Sequence, residues 1–554
     1  MALDLHRLNT ARKSEKSQEE ILKEIITDEF PLNPLEVIGE KSFDDPEAVK
    51  EANKLTGTDV QEFYRDATVF LTGGTGFMGK MIIEKLCRSC PHIKQIYLLV
   101  RNKKGKVINE RVDAIFDDRL FMRLKHEQPK FHHKISAFAG DVSLPGLGLS
   151  ASDRQKLIEE VNIMFHAAAT IRFDEHIRVA IDINVLGTRE MLKLAKETIN
   201  LKSFMYVSTA YANCPNKTIN EKFYEPPYDY NGVISLVSSA KDDSKLESLT
   251  PSLTSGWPNT YTFTKALAED LVRKEADGLP LGIFRPSVVI STYKEPVRGW
   301  IDNVYGPIGM IVGAGTGVLH TFQCNVNQVL DMVPVDLAVN ALICAAYKVG
   351  KKNQPQQTID NEPTIFNYVS SSQNPILLGD FFEIIKKHGI PTWVTINAIW
   401  FYSFIPTTNV YLYSLLFLLL HTIPGYLFDL LAKITRRKPI LGKIYQKTKK
   451  ASEALVFFAH RQWDFRNDNI QTLWSELSET DKDKFFFDMN TMSWDYYARA
   501  CALGLRLYLV KDDINTLKAA RKKWKKLYVA HILLKTIVTI AFLRILWFAI
   551  RLIS

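Results

Sequence analysis

The 554-residue chain reads as an α/β protein: a doubly wound parallel sheet, then a mainly helical C-terminal domain, then a C-terminal membrane helix. Three observations predict this. Short β-rich runs alternate with helical stretches from about residue 67 onward, the pattern of strands that need crossover helices. A glycine-rich turn joins the first of these runs to an amphipathic helix. From about residue 370 the alternation stops, and the chain becomes helix-rich, aromatic and partly very apolar.

The elements follow in order. Residues 1–60 form a polar extension rich in Lys, Glu, Asp and Asn, helical around Glu19 to Ile26. Ala67 to Leu71 is the first strand, Thr72 to Gly79 the turn, and Lys80 to Arg88 the helix. Further strands are expected at Gln95 to Val100, Ile135 to Ala139, Ile163 to Phe165, Ser203 to Val207 and Leu281 to Phe284. These sit in a unit spanning 61–370, and a helical unit spans 371–515. Within the latter, Val410 to Leu420 carries no charge, but His421, Pro424, Gly425 and Asp429 interrupt the run. That pattern suits an interfacial or re-entrant segment, or a lipid-facing lid, better than a clean span. Tyr528 to Ile553 is apolar apart from His531, Lys535, Arg544 and Arg551. It is read as a membrane anchor over 528–553, spanning, with an in-plane amphipathic helix as the alternative.

Composition narrows the function classes. With 46% hydrophobic and 24% charged residues the chain is globular rather than disordered. A net charge of +9 is modest for this length and gives no reason to expect nucleic acid. The basic residues cluster beside apolar runs: Lys518, Arg521, Lys522, Lys523, Lys525 and Lys526 before the last one, and Arg436, Arg437 and Lys438 after the earlier one. Such placement favours the anionic cytoplasmic face of a membrane. Six scattered cysteines suggest no disulfide framework. Cys87 and Cys90 form a lone C-x-x-C without a second ligand pair, so no metal is expected.

The turn has the spacing T-G-x-x-G-x-x-G: Thr72, Gly73, Gly76, Gly79. Between a strand and a helix, it lets the backbone approach a pyrophosphate and aims helix N–H groups at it. Thr72, Gly73, Gly74, Thr75, Gly76, Phe77, Met78 and Gly79 are therefore expected to hold a dinucleotide, in a Rossmann-type sheet. A carboxylate at the end of the second strand would bind a free ribose 2′-hydroxyl. Arg101 stands there instead, followed by Lys103 and Lys104, which suits the 2′-phosphate of NADPH. Asp141 and Val142 after the third strand are expected near the adenine, and Ala167, in His166-Ala-Ala-Ala169, against the cofactor. A second glycine cluster, Gly313 to Gly317, lacks a surrounding βαβ unit and is read as a loop, near substrate at most.

Tyr261 and Lys265 are four residues apart and share one helix face. A nearby ammonium favours a phenolate, drawing the tyrosine toward useful acid–base chemistry. Lys265 can also hold a nicotinamide ribose. The pair precedes a strand ending Arg285-Pro286-Ser287, and Pro286 is expected at the cofactor. Orienting a carbonyl needs a hydroxyl, which Tyr206-Val-Ser-Thr-Ala-Tyr211 offers at a strand end: Thr209 first, Ser208 as neighbour or alternative. Asn184 either supports a water or backbone contact or stabilises a helical turn.

Together these stretches resemble the extended short-chain dehydrogenase/reductases, and in detail the eukaryotic, insect-type fatty acyl-CoA reductases. The similar segments are Thr72 to Lys80, Tyr97 to Arg101, Tyr206 to Tyr211, Tyr261 to Lys265, Arg285 to Val289 and Gly299 to Asn303. Asn490 to Trp494 resembles that family's helical "male sterility" domain. The resemblance implies NADPH-dependent reduction of a long-chain acyl-CoA to a primary alcohol through an aldehyde, with Tyr261 donating the proton. It also implies an apolar C-terminal half that shelters the acyl chain. Three alternatives stand: a reductase stopping at aldehyde, a sterol or sugar-nucleotide dehydrogenase of the same fold, and a non-catalytic cofactor-binding scaffold. Substrate supply and the basic flank of the anchor point to a cytosol-facing membrane protein, at the endoplasmic reticulum before the peroxisome. An oligomer is compatible with the sequence.

Overall fold

The computed structural model describes residues 57–102, 108–352 and 362–553. The expected helix at Glu19 to Ile26, and Lys103 and Lys104, lie outside the described residues.

Seven parallel strands form the central sheet: β1 (Thr68–Thr72), β2 (Gln95–Val100), β3 (Ile135–Ala139), β4 (Ile163–His166), β5 (Ser203–Val207), β6 (Leu281–Pro286) and β7 (Thr364–Tyr368). Their spatial order is β7-β6-β5-β4-β1-β2-β3, every neighbouring pair parallel. The order reverses at β1, between β2 and β4, and the crevice beyond the carboxyl ends of the strands at such a point is where open α/β sheets bind ligands. β7 was not among the expected strands; it completes the sheet edge beside β6.

Both faces of the sheet are covered, which explains why the strands read as continuous apolar runs. Val69, Leu71, Phe165 and Met205 face one core, with α1 (Phe77–Ser89) and α5 (Val335–Lys352) packed over it. Phe70, Met164, Phe204 and Tyr206 face the other, under α2 (Gly187–Glu197) and α3 (Thr260–Glu275). Helix α1 begins three residues earlier than its amphipathic pattern suggests, because Gly76 is its N-cap.

The expectation that Gly313 to Gly317 forms a loop is corrected. Most of the cluster belongs to α4 (Pro307–Gly315), and only Gly317, at φ +71°, turns the chain away. Close approaches flank the helix: a Cβ on Gly309, in its first turn, would lie 2.3 Å from the Val304 carbonyl oxygen, and one on Gly317, past its end, the same distance from that of Trp400.

Beyond β7 come α6 (Leu378–Trp393), α7 (Val410–Phe417), α8 (Ile423–Ile434), α9 (Leu441–Ala459), α10 (Trp494–Gly504) and α11 (Leu517–Ile553). This part is stitched to the sheet-bearing part. Ile405–Thr407 pairs with Thr321–Gln323, and Asp464–Phe465 with Thr218–Ile219. Gly299 and Gly504 meet backbone to backbone: a Cβ on Gly504 would lie 2.0 Å from the Gly299 carbonyl oxygen.

The run from Val410 passes its interruptions as helix. A π-turn at Leu418–Thr422 links α7 to α8 immediately before Pro424, a widened turn where the ladder of helical hydrogen bonds is already interrupted. Asp429 then caps α9, accepting from the backbone N–H groups of Ile440, Leu441 and Gly442 at 2.9–3.0 Å. The 410–434 stretch and the C-terminal helix are both long and apolar enough to cross a membrane, and their apolar side chains, among them Leu427, Leu431, Leu543 and Trp547, are exposed.

Candidate active site

At the carboxyl edge of the sheet, the chain turns from β1 into α1 through the glycine loop. Gly73 has φ +77°, and a Cβ there would sit 2.8 Å from the backbone of Ala167 and Ala168. A Cβ on Gly79 would lie 2.1 Å from the Gly73 carbonyl oxygen. The fold thus permits only hydrogen at these positions, and the loop presses against the end of β4 while the first N–H groups of α1 face outward. Thr72 is buried. Its hydroxyl shares a hydrogen bond with His166 Nδ1 (2.7 Å) and accepts from the Ala168 N–H (3.3 Å). Burial, aided by Lys265, pushes the imidazole down to about 3, so His166 is a neutral structural ring. Gly74 packs on Leu98, Thr75 is exposed, and Phe77 stacks on Trp300 with centroids 5.3 Å apart.

Arg101 is exposed just past β2, one strand from the loop, at the same sheet edge. Asp141 follows β3 and accepts from the N–H and hydroxyl of Ser143 at 3.0 and 2.9 Å, which braces its own turn. Val142 is buried against Gly187. Asn184 has its amide fully committed: it bonds both backbone groups of Thr170 and donates to Thr264 Oγ1 at 3.0 Å. Of its two readings, backbone support is the one the contacts show.

Helix α3 is capped by Asn259, whose side chain accepts from the Thr262 N–H at 2.9 Å. It carries Tyr261, Lys265 and Glu269 at successive i, i+4 positions. Tyr261 is half-buried, with Phe173 nearly parallel to its ring at 6.1 Å. Burial pushes its phenol up to about 12, against a lowering from the Thr209 hydroxyl hydrogen-bonded to it. The expected ammonium effect of Lys265 on Tyr261 is not what dominates. Lys265 Nζ instead donates to the Val207 carbonyl (2.7 Å) and to Tyr206 Oη (3.3 Å). Burial brings the lysine down to about 7, and Glu269 opposes that shift.

Glu269, absent from the expected set, is the hub beneath. Its carboxylate accepts from Ser208 Oγ (2.6 Å), Asn213 Nδ2 (3.1 Å), Arg285 Nε (2.8 Å) and Arg285 Nη2 (2.7 Å). The Ser208 hydroxyl is therefore turned into the protein, and Thr209 is the one beside Tyr261. The i+8 position from Tyr261 was the signal that could have found Glu269.

One cavity of about 360 Å³ joins these parts. Gly73, Gly76, Phe77, Met78, Gly79 and Ala167 line one side, and Ser208, Thr209, Tyr261, Lys265 and Pro286 the centre. Leu378, Phe382, Leu455, Phe458 and Trp463 close it from the C-terminal half. Periodicity gives no hint of this aromatic wall. The lining fits a dinucleotide: a glycine cradle at one end and, in the middle, Ser287 with a buried hydroxyl lacking a hydrogen-bond partner. Among the described residues no group of three or more His, Cys, Asp or Glu could hold a metal ion.

Two family models, both described as "Male sterility protein", match residues 71–342, as an NAD-binding domain, and 420–512. "Fatty acyl-CoA reductase wat" of Drosophila melanogaster is 43% identical over 472 residues, 85% of this chain and 90% of that protein. The chain belongs to the fatty acyl-CoA reductase family. Human "Fatty acyl-CoA reductase 1" is 37% identical, covering 88% of this chain and 93% of its own. Among solved structures, the reductase domain of a nonribosomal peptide synthetase from Mycobacterium tuberculosis is similar at TM-score 0.52 and 16% identity, covering 87% of this chain and 99% of that one. That likeness shows the fold. The protein is thus a fatty acyl-CoA reductase family enzyme that uses a nicotinamide cofactor, with Tyr261, Thr209 and Lys265 in one cavity with the glycine loop.

Proposed function

We propose that this fatty acyl-CoA reductase converts long-chain acyl-CoA to the primary alcohol, taking NADPH twice and releasing CoA. The observation that carries the reading is the single cavity that places the glycine loop, Tyr261 and Thr209, and the apolar C-terminal wall around one space. Held by the glycine loop and Lys265, the dinucleotide would supply hydride for the carbonyl carbon. Thr209 and Tyr261 bind the carbonyl oxygen, and Tyr261 gives it a proton as the tetrahedral carbon forms. The resulting hemithioacetal breaks its C–S bond, the hydroxyl proton passes to sulfur, and aldehyde and CoA result. The same pair then receives the aldehyde, and a second hydride and proton yield the alcohol. Lys265, desolvated beside Tyr206 and one helical turn from Tyr261, would hold the nicotinamide ribose of the bound cofactor. Glu269 acts through Lys265, Ser208 and Arg285 as a positioning residue. Arg101 favours the 2′-phosphate and therefore NADPH.

The two exposed apolar helical stretches support a membrane-associated enzyme. The basic residues Lys518 to Lys526 before the apolar run of α11 support a cytosol-facing catalytic part, with the endoplasmic reticulum read ahead of the peroxisome. Yeast membranes bearing the protein, given palmitoyl-CoA and NADPH, are expected to yield hexadecanol by gas chromatography–mass spectrometry. Tyr261→Phe beside it is expected to yield none. Hexadecanal as the sole product would remove the second reduction. No product from any chain length, with NADPH binding intact, would overturn the acyl-CoA reading and leave the sterol and scaffold readings.

A further inference from the structure

The geometry points to a path for the acyl tail: between α4 and α6, away from Tyr261, into a second cavity whose floor is Trp524 at the root of α11. This rests on the acyl-CoA reading above and adds which residues set chain length.

The second cavity, of about 60 Å³, adjoins the first; Met310 and Phe382 line both. Each belongs to a helix that serves the two spaces with one face. On α6, Leu378 and Phe382 line the catalytic cavity, and Phe382, Ile385 and Gly389 the second. These positions repeat at i, i+4, i+7 and i+11, a single stripe roughly 16 Å long at 1.5 Å per residue. On α4, Pro307 and Met310 line the first space, and Met310, Ile311 and Ala314 the second. Two parallel stripes that both lead from the reacting end into an apolar pocket describe a channel rather than two unrelated voids. The length suits a long acyl chain and exceeds what a short one needs.

The partition is a soft one. Methionine is flexible and readily displaced, and Phe382 is only half-buried, its ring edge-on to Phe404 at 5.3 Å. In the far half Ala314, Gly389 and Ala502 interrupt a wall of larger side chains, among them Tyr402 and Phe404, and leave the room between them. A Cβ on Gly389 would meet nothing nearer than the Cβ of Ala502, which also lines this cavity, at 3.8 Å, so the backbone there tolerates a side chain on the cavity wall. Trp524 closes the end. It is buried, packs on Phe401 with centroids 4.6 Å apart, and lies on the helix whose later residues are exposed and apolar. The methyl end of the tail thus points to the base of the membrane anchor.

Full-length protein in detergent micelles, assayed with NADPH and octanoyl-, dodecanoyl-, palmitoyl- and stearoyl-CoA, tests this. The readout is the ratio of palmitoyl to octanoyl turnover (kcat/KM) in wild type, Gly389→Leu and Ala314→Leu, each checked for NADPH binding by fluorescence quenching. Both fillings come from different helices, and each is expected to lower that ratio about tenfold by denying burial to the outer methylenes. A ratio unchanged in an NADPH-binding variant would overturn the channel. So would equal losses at every chain length. A wild type inactive on all four thioesters would instead overturn the acyl-CoA reading beneath it.

Discussion

Ser208 Oγ donates to Glu269 Oε1 at 2.6 Å, and this bond decides which of two adjacent hydroxyls serves Tyr261. Successive side chains of an extended segment point opposite ways, so a serine tied to the helix beneath leaves its neighbour Thr209 facing the cavity. The two residues therefore differ in role. Thr209→Val is expected to lower kcat by about 100-fold or more while NADPH affinity stays within twofold, by analogy with loss of one oxyanion donor. Ser208→Ala is expected to cost about 1–3 kcal/mol of stability by leaving a buried carboxylate short of a partner. Steady-state kinetics and thermal unfolding of both variants check this.

Gly79→Ala places a Cβ 2.1 Å from the Gly73 carbonyl oxygen, backbone that cannot swing aside. NADPH binding, followed by fluorescence quenching, is expected to be lost although the far half of α1 still folds.

Arg101→Ser removes the cation at the end of β2. The preference for NADPH over NADH, as a ratio of kcat/KM values, is expected to fall by about 10- to 100-fold, the worth of a charge-assisted hydrogen bond.

Burial holds Lys265 down to about 7 in the free enzyme. The ammonium is present below that value and lost as pH rises through it. A pH profile of kcat/KM is therefore expected to fall on its alkaline side near neutrality rather than near pH 10. A profile flat to pH 9 would show that the charge of Lys265 in the free enzyme is immaterial.

Deleting residues 517–554 removes α11 together with Trp524. Fractionation is expected to show weaker membrane retention, with the 410–434 stretch still holding part of the protein to lipid.

Much of the site was legible in the sequence because its chemistry demands fixed spacings. The turn from Thr72 to Gly79 must let backbones touch, and Tyr261 with Lys265 must share a helix face. Strands buried on both sides announced themselves as apolar runs. β7, five residues long like β1, β3 and β5, went unseen because it follows a polar stretch with no glycine signal of its own. Gly313 to Gly317 misled because Gly313 and Gly315 lie within α4, Gly313 close against Leu319, and only Gly317 turns the chain, against Trp400; neither neighbour is visible before folding. The role of Glu269 depends on Arg285 and Asn213, which only folding brings to it. The aromatic wall of Phe458 and Trp463 is tertiary in the same way.

The central claim, two reductions of one thioester at one tyrosine, is tested most directly by stoichiometry. Purified enzyme with limiting palmitoyl-CoA is followed by NADPH absorbance and by release of free thiol. Two NADPH oxidised per CoA released, both signals lost in Tyr261→Phe, is the predicted result. Thiol released without NADPH oxidation, or NADPH oxidation that persists in Tyr261→Phe, would contradict it.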